Sequence, residues 1–507
     1  MINRLFLCLG IFFTGIFVAA QNQFLDPTFG ANGVVTYSPG NNFSFNYESG
    51  IITPQNKIIV SGSYSSAPNS DNITNLIQRL NADGSVDTSF NTLVIPPFNY
   101  NRFIRMALQS DQKILLGDIS GRKIIRLNEN GTYDTGFGDN GAVHAAIFEP
   151  YFSANGIDGP HRLSSMFITN NKILLCMGAY MNQESKYVIM RLNENGSIDS
   201  TFGNNGIVIL QDCFLGRLVL QNDSKLVFVG QRENGTFVKS RFTANGVLDS
   251  TYNNNDLQYT PPGTYETNFF SAAGKDNNVY MYGFTSSTAG DNLIILMKLN
   301  QNGEFDTSFG TNGIVIEPYY NNNTIYSAAT NINFATILLD NNNDIFVVNM
   351  ASPNGNAADM NQVVKKFKPN GTVDAGFGNN GVVDIDLNYR ESVRSAILTP
   401  DQKIMIFGNH QTPSKGIITK VLNNANALSV KNQEIKKDNV SIYPNPVKDI
   451  LNIKNAKSKD LPIEIVDASG RSILKTIVNE NKVDISHLEK GIYYLNTGNT
   501  THKFIKE

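Results

Sequence analysis

The sequence predicts an all-β protein, made of a seven-bladed β-propeller followed by a small carboxy-terminal β-sandwich. Three observations lead to this fold class: short β-rich runs recur in a fixed order, turn residues separate them, and the pattern changes near the carboxy terminus. The chain has 507 residues, of which 41 are Gly and 67 are Asn. Both residues favour the tight turns that join short strands. No sustained helical period interrupts the repeats.

Three motifs return in phase along the chain. One holds an aspartate, an aromatic residue and an Asn-Gly turn, as in LDPTFGANGVV (25–35). A lysine-led apolar run such as KILLGD (113–118) and a run such as RLNENG (191–196) precede it. The period of about 58 residues is typical of a four-stranded propeller blade. The repeated aspartates are Asp26, Asp87, Asp134, Asp199, Asp249, Asp306 and Asp374.

The order of the motifs predicts how the ring closes. Each unit supplies four strands joined by Asp-Gln-Lys, Asn-Asn-Lys or Asn-Gly turns, which are typical of hairpins. The chain enters at a fourth strand (33–37) and leaves after first, second and third strands (393–422). The amino-terminal strand is therefore expected to complete the last blade and remove an open edge. Seven sets of motifs then give seven blades over residues 22–423.

These motifs resemble the delta-60 repeat β-propellers of exported bacterial proteins. The resemblance rests on the D-x-[ST]-F-G-x-N-G strings with RLNxxG and KILLxG, and it covers Phe24 to about Asn423. Two units depart from it, with Phe90-Asn91 and Tyr252-Asn253 in place of Phe-Gly. Irregular outer turns are expected there. The resemblance implies the fold and little biochemistry.

Residues 1–20 have the pattern of a secretory signal peptide. One positive residue, Arg4, precedes an apolar run (5–18), and two alanines precede the expected cleavage point at Gln21. The alternative is an uncleaved membrane anchor, for which the run is short. No later run approaches the length of a span, so no transmembrane segment is expected in the mature chain.

The end of the chain has a different pattern. A polar stretch without repeat motifs (424–439) is predicted to be a linker. Residues 440–507 alternate apolar and polar positions, with prolines and a glycine at turns, which predicts a small antiparallel β-sandwich. The strings YPNPVKDILNI, IVDASGRSI and LEKGIYYL, followed by a basic end, resemble the type A carboxy-terminal sorting domain of the type IX secretion system of Bacteroidota.

This second resemblance implies a partner and a destination. Residues 440–507 are expected to engage the type IX secretion machinery and to be removed during export. The protein would travel through the periplasm and be secreted or held on the outer-membrane surface. A generic adhesion domain is the alternative for the same strands.

Composition and motifs limit the classes of function. The chain has 41 Lys and Arg against 44 Asp and Glu, a net charge of −3, which argues against a nucleic-acid partner. No HExxH, CxxC, nucleophile-elbow or P-loop motif occurs in the sequence. The sequence therefore favours a role that is not enzymatic and predicts no cofactor.

The repeat aspartates are expected to be structural. Each follows a turn rich in Asn or Gly, where an Asp side chain bonds backbone amides. Oxygen-rich strings such as LNENGSIDSTFG (192–203) leave calcium as an alternative, but they lack the spacing of an EF-hand loop. Asn-Gly hairpins explain the same residues, so no metal site is predicted.

Differences between the repeats indicate a binding face. Turns 1–2 and 3–4 are nearly constant, whereas turns 2–3 and the links between blades vary and lie on the opposite face. Binding loops are expected on the variable face. Four arginines at or just before first strands are the ligand-binding candidates, because a ring of guanidiniums suits carboxylate or phosphate ligands. They are Arg105, Arg162, Arg217 and Arg394. Local pairing with an acid such as Glu391 is the alternative.

Two further pairs of residues are singled out. Asp158 and His161 lie together in the longest link and are the catalytic candidates, since they alone combine acid and base groups. Cys176 and Cys213 lie in apolar runs, which is compatible either with one disulfide between them or with two buried thiols.

The sequence thus predicts an exported propeller that binds an extracellular ligand, either a glycan or an envelope partner. A polysaccharide-degrading enzyme that uses the funnel and a purely structural surface protein are the alternatives. The absence of Trp weakens a sugar-stacking platform, although 20 Tyr and 31 Phe can replace it.

Overall fold

The computed structural model divides into two compact units, Met1–Ala425 and Asn426–Glu507, which are described separately. The predicted signal peptide and the whole of the predicted linker lie outside the described residues. Those residues are 23–40, 43–65, 73–96, 102–210, 213, 215–259, 267–286, 292–318, 336–352, 359–411, 414–423, 441–454, 461–467, 471–478, 481–497 and 501–507.

Seven antiparallel sheets build the described part of the first unit, and we number them I–VII in the chain order of their first strands. The first strands are Ser44–Ile52, Phe103–Leu108, Ile157–Thr169, Leu215–Leu220, Thr267–Lys275, Thr336–Leu339 and, in sheet VII, Arg390–Glu391 with Ser395–Leu398. The second strands are Ile58–Ser65, Ile114–Asp118, Lys172–Met181, Leu226–Gln231, Asn278–Ser286, Ile345–Ala351 and Ile404–Gln411.

The third and fourth strands complete the sheets. The third strands are Thr74–Leu80, Lys123–Leu127, Glu184–Leu192, Phe237–Phe242, Asn292–Leu299, Asn361–Phe367 and Lys415–Val421. The fourth strands are Leu93–Ile95, Ala142–His144, Ile207–Leu210, Ile314–Pro318, Val382–Ile385 and, in sheet VII, Val34–Tyr37. Among the described residues sheet IV has three strands, with a single bridge from Phe237 to Leu257 in place of the fourth. This is one of the two units whose motif departs from Phe-Gly.

The amino-terminal strand closes the ring, as the order of the motifs predicts. Val34–Tyr37 pairs antiparallel with Lys415–Val421, with Val34 opposite Thr419. The first strands contact one another in sequence, and those of sheets VII and I also meet. The first unit is therefore an all-β propeller with its first strands around a central channel.

The repeat motifs meet where neighbouring sheets join. Phe202 of sheet III is fully buried, and a Cβ atom added to Gly246 of sheet IV would lie 2.9 Å from its ring. The amide of Gly203 donates to the carbonyl of Asn245 at 2.8 Å. The same bond recurs at five other described junctions, from Gly30 to Asp83, Asn91 to Asn130, Gly138 to Asn195, Asn253 to Asn302 and Gly310 to Asn370. The Phe-Gly motif of one sheet thus packs against the Asn-Gly turn of the next sheet and is hydrogen-bonded to it. We call this contact the joint between two sheets.

The link between sheets II and III holds two short helices that the sequence analysis did not predict. They are the 3₁₀ helix Ala145–Ile147 and the α-helix Glu149–Ala154, which has a proline in its first turn. Phe148 and Phe152 are fully buried. They lie four residues apart, so both fall on one face of a helical turn and anchor the link to the propeller.

The second unit is a β-sandwich with one core. One sheet contains Ser441–Tyr443, Ile450–Lys454 and Lys482–Asp484, and the other contains Ser472–Val478, Leu461–Asp467, Gly491–Asn496 and Thr501–Lys506. Leu451, Ile465, Leu495 and Phe504 are fully buried in the core. In the described part of the chain, no helix has the length and apolar character needed to cross a membrane.

Candidate functional site

The first strands enclose a central cavity of about 380 Å³. All seven sheets contribute to its walls, and Arg105, Arg217 and Arg394 are among the residues that line it. Three of the four arginines predicted from the sequence therefore meet in one channel, although they belong to sheets II, IV and VII.

Irregular pairing in the first strands helps to aim these side chains. The register of sheet II shifts between Phe103 and Arg105, and that of sheet III shifts between Leu163 and Ser165. Such a bulge inserts one extra residue and redirects the side chains beside it. Arg105 follows the bulge directly and faces the channel.

Among the described residues, no carboxylate pairs with Arg105 or Arg217. The Nε atom of Arg105 donates to the carbonyl of Ser164 at 3.0 Å, and its Nη1 atom donates to the carbonyl of Ile104 at 3.5 Å. The Nη1 atom of Arg217 donates to the carbonyl of Gly216 at 3.0 Å. Within the described part of the chain, no hydrogen bond involves Nη2 of Arg105 or the Nε–Nη2 edge of Arg217.

The positive charges of the arginines repel one another. Burial, together with the charges of Arg217 and Arg162, lowers the pKa of Arg105 to about 9. Burial and the charge of Arg162 lower the pKa of Arg217 to about 10. Arg162 therefore lies within electrostatic reach of both. An anion in the channel would relieve this repulsion and raise both pKa values towards the ordinary value of arginine.

The carboxylate whose charge favours the charged form of Arg394 is Glu48, whereas the sequence suggests Glu391. Glu48 is buried and accepts hydrogen bonds from Ser63 Oγ at 2.5 Å and from Arg102 Nη1 at 3.3 Å. Burial raises the pKa of Glu48, but the charges of Arg102 and Arg394 outweigh it, and the net shift is downward. Glu391 accepts the backbone N–H of Tyr389 at 3.1 Å.

The structure does not join the two catalytic candidates. Asp158 and His161 are exposed on the first strand of sheet III, and within the described residues no hydrogen bond links them. The ring of His161 stacks on Tyr180, with centroids 4.4 Å apart. Neither candidate is among the residues that line the channel. In the described ranges, no group of three or more His, Cys, Asp or Glu residues could hold a metal ion.

The repeat aspartates lie in the joints between sheets. Oδ1 of Asp199 accepts the backbone N–H of Thr201 at 3.2 Å and its hydroxyl at 2.7 Å. Oδ2 lies 2.8 Å from Arg191 Nε and 3.1 Å from Lys172 Nζ. The other six make ion pairs of the same kind, Asp26 with Lys403 and Lys420, Asp87 with Lys57 and Arg79, Asp134 with Lys113 and Arg126, Asp249 with Lys225 and Arg241, Asp306 with Lys298, and Asp374 with Lys366.

Cys176 and Cys213 are both free and buried. They belong to one hydrophobic cluster with Tyr187. Burial raises the pKa of each thiol to about 12, so neither is a thiolate at neutral pH.

A larger groove of about 710 Å³ lies outside the channel, between the fourth strand of sheet II and residues 195–198 of sheet III. Its lining includes His144, Tyr151, the exposed Asp139 and the apolar side chains of Ile147 and Ile198. It holds no buried charge, so the channel is the better candidate for recognition.

Two known families match parts of the chain. Residues 441–507 match the secretion system C-terminal sorting domain, and residues 53–90, 170–202 and 275–309 match a family described as a domain of unknown function (DUF5122) beta-propeller. The chain is a β-propeller protein with a type IX sorting tail. The tail implies interaction with the type IX secretion machinery and supports secretion and a location at the outer-membrane surface.

A search of curated proteins found no match. Solved structures similar to the chain include the polysaccharide lyase Uly1 (9% identity, 74% of this chain and 90% of that one, TM-score 0.44). A virginiamycin B lyase from Staphylococcus aureus with quinupristin is similar at 11% identity (77% and 99%, TM-score 0.41). A protein of unknown function from Dyadobacter fermentans is similar at 9% identity (77% and 98%, TM-score 0.39). At these values the likenesses carry no argument about function.

Proposed function

We propose that the protein is an exported binding protein whose central channel receives an anionic group of an extracellular ligand. One observation carries the proposal: Arg105 and Arg217 line the channel, and no described carboxylate pairs with them. A buried charge without a counter-charge is costly. Guanidiniums bind carboxylate, sulfate and phosphate groups with a fork of donors. The ligand would supply the missing negative charge.

The sorting tail fits this proposal because it directs the propeller out of the cell, where glycans and envelope components are the available ligands. We expect the ligand to enter the channel from the variable face. Three of the turns between second and third strands, residues 119–122, 182–183 and 232–236, belong to the described residues and differ in length and sequence. Variable loops on a rigid ring are a common way to build a binding surface.

Titration calorimetry with two polyanions tests the proposal. Polygalacturonate and polyphosphate are titrated into the exported chain at low ionic strength. Both should bind, and both should bind more weakly as salt is added. Arg217→Gln should weaken both by about tenfold or more, and Arg217→Lys should weaken them less because it keeps the charge but loses the fork.

Lys225 provides a control. It precedes the second strand of the same sheet, on the face opposite to the variable loops, and pairs with Asp249 at 3.1 Å. Lys225→Gln should leave both affinities unchanged. The Tm of Arg217→Gln should not fall, because the substitution removes a charge that has no carboxylate partner. Wild-type affinity in Arg217→Gln, or no binding of either polyanion to the wild-type chain, would contradict the proposal.

A further inference from the structure

Two exposed tyrosines are each backed by a stacked histidine. The ring centroids of Tyr180 and His161 lie 4.4 Å apart with an angle of 19° between the planes. Those of Tyr389 and His410 lie 4.5 Å apart with an angle of 16°. Both tyrosines are 45% exposed. Each pair therefore presents an aromatic surface to solvent on a second, parallel ring.

The topology places both pairs on the variable face. Tyr180 lies at the end of the second strand of sheet III and His161 near the start of its first strand. In sheet VII the roles are exchanged, with Tyr389 just before the first strand and His410 near the end of the second. Antiparallel strands bring the start of one and the end of the next to the same edge. The pairs thus occupy equivalent places on two sheets that are not neighbours in the ring.

The histidines act as uncharged supports. Burial lowers the pKa of His161, and the charges of Arg162 and Arg122 lower it further. Burial and the charge of Lys415 lower the pKa of His410. A neutral imidazole stacked on a phenol ring orients that ring and leaves it as an apolar platform with a polar tip.

Amide side chains flank each platform. Asn182 and Gln183 follow Tyr180 in a tight turn with φ of 51° and 67°, and both are exposed. Asn388, with φ of 65°, precedes Tyr389 and is also exposed. Amides both donate and accept hydrogen bonds, as hydroxyl groups of a sugar require.

We infer that Tyr180 and Tyr389 are stacking platforms for sugar rings and that the ligand of the propeller is an acidic polysaccharide. The apolar face of one pyranose ring would lie on each tyrosine, and carboxylates of other rings of the same polysaccharide would bind Arg105 and Arg217. The inference rests on the proposed function, because it names the ligand class of the same channel. It predicts that rings and charges contribute separately to affinity.

Two probes separate these contributions. Oligogalacturonate has rings and carboxylates, whereas polyphosphate of matched charge has no rings. Tyr180→Ala and Tyr389→Ala should each weaken oligogalacturonate by about fivefold to tenfold in calorimetric titrations of residues 21–507, which retain the second unit. Polyphosphate affinity should stay within about twofold. Tyr180→Phe and Tyr389→Phe should keep the affinity for both, since they keep the ring.

Tyr443 of the second unit is the matched control, because it is 52% exposed but lies outside the propeller. Tyr443→Ala should bind both probes as the wild type does, and Tm measurements on each variant exclude unfolding. If both probes bind through Arg217 and the alanine variants keep full affinity for oligogalacturonate, the stacking inference fails and the channel proposal stands. An equal loss for both probes also overturns the inference. Failure of both probes to bind wild-type protein removes the proposed function itself.

Discussion

The Nε atom of Arg191 donates to Oδ2 of Asp199 at 2.8 Å, and the same guanidinium reaches the next sheet, where Nη1 donates to the carbonyl of Ala244 at 2.6 Å. Its central carbon lies 4.9 Å from the centroid of the Phe202 ring. One side chain thus ties together the aspartate and the aromatic residue of its own motif and the turn of the following sheet. Three other arginines form the same joint, namely Arg79, Arg126 and Arg241.

Removing the aspartate should weaken this joint strongly. The side chains of Asp199 and Arg191 are only 5% and 8% exposed, so Asp199→Ala leaves a buried guanidinium without its counter-charge. We expect the free energy of unfolding to fall by about 3–5 kcal/mol in urea titrations. The pair of Arg232 and Asp256, whose side chains are 31% and 37% exposed, is the control, and Asp256→Ala should cost at most about 1 kcal/mol. Equal losses in the two variants would contradict a special role for the joint.

The ring could be predicted from the sequence because its joints are local and repeated. Each Phe-Gly motif meets the Asn-Gly turn of the next repeat, so periodicity alone places the contacts. The pairing of Val34–Tyr37 with Lys415–Val421 could be predicted as well, because the repeats begin with a fourth strand and the last repeat has only its first three strands.

The channel could be predicted only in part. The sequence places four arginines near first strands. It does not show which charges surround them, because the closed ring brings together residues that are distant in the sequence. The charge of Glu48, which is distant in the sequence, favours the charged form of Arg394. Glu391 is only three residues from Arg394, but it accepts the backbone N–H of Tyr389. The stacked pairs of Tyr180 with His161 and of Tyr389 with His410 are not part of the repeated motifs, so the repeat pattern does not predict them.

The glycines of the joints should not tolerate a side chain. Gly196 has φ of 88°, and a Cβ atom there would lie 2.6 Å from Val143 Cγ2 and 3.0 Å from Phe137 Cε2. Gly235 has φ of 87°, but a Cβ atom there would meet nothing within 4 Å. Gly235→Ala should therefore cost about 1 kcal/mol from backbone strain alone. Gly196→Ala should cost ~1–3 kcal/mol more because it also overpacks the joint. Similar Tm values for the two variants would contradict this account.

The two cysteines should be inert in the folded protein. Because burial raises the pKa of both thiols to about 12, a thiol-specific reagent at pH 8 should label Cys176 and Cys213 only after unfolding. We expect less than about one-tenth of a thiol per chain before guanidinium is added and two afterwards, for a chain without residues 1–20. Rapid labelling in native buffer would show that the cluster around Tyr187 opens. No labelling after unfolding would show that the thiols are oxidised.

Two buried glutamates should give opposite pH dependences of stability. Burial, together with the charge of Asp386, raises the pKa of Glu391 from its ordinary value of 4.5 to about 8. Unfolding frees this carboxyl to ionise, so the stability it provides is full below about pH 4.5 and is lost as the pH rises towards 8. The loss amounts to at most about 1.4 kcal/mol for each pH unit in that window. The pKa of Glu48 is shifted downward despite burial, because Arg102 and Arg394 favour its charged form. Its contribution is therefore present above about pH 4.5 and is lost as the pH falls through its lowered pKa.

Glutamine substitutions at the two positions separate these effects. Glu391→Gln mimics the protonated form, so its Tm should match that of the wild type at pH 4.5 and exceed it at pH 8. Glu48→Gln removes the anion between two guanidiniums, so its Tm should lie below that of the wild type at pH 7, and the gap should narrow below pH 4. The two residues are 1% and 2% exposed, which makes them matched in burial and different chiefly in their charged neighbours. A fall in Tm for Glu391→Gln at pH 8 would mean that this carboxylate is stabilised by its backbone donors. The sign of the effect at each position thus reports whether a buried charge has a counter-charge.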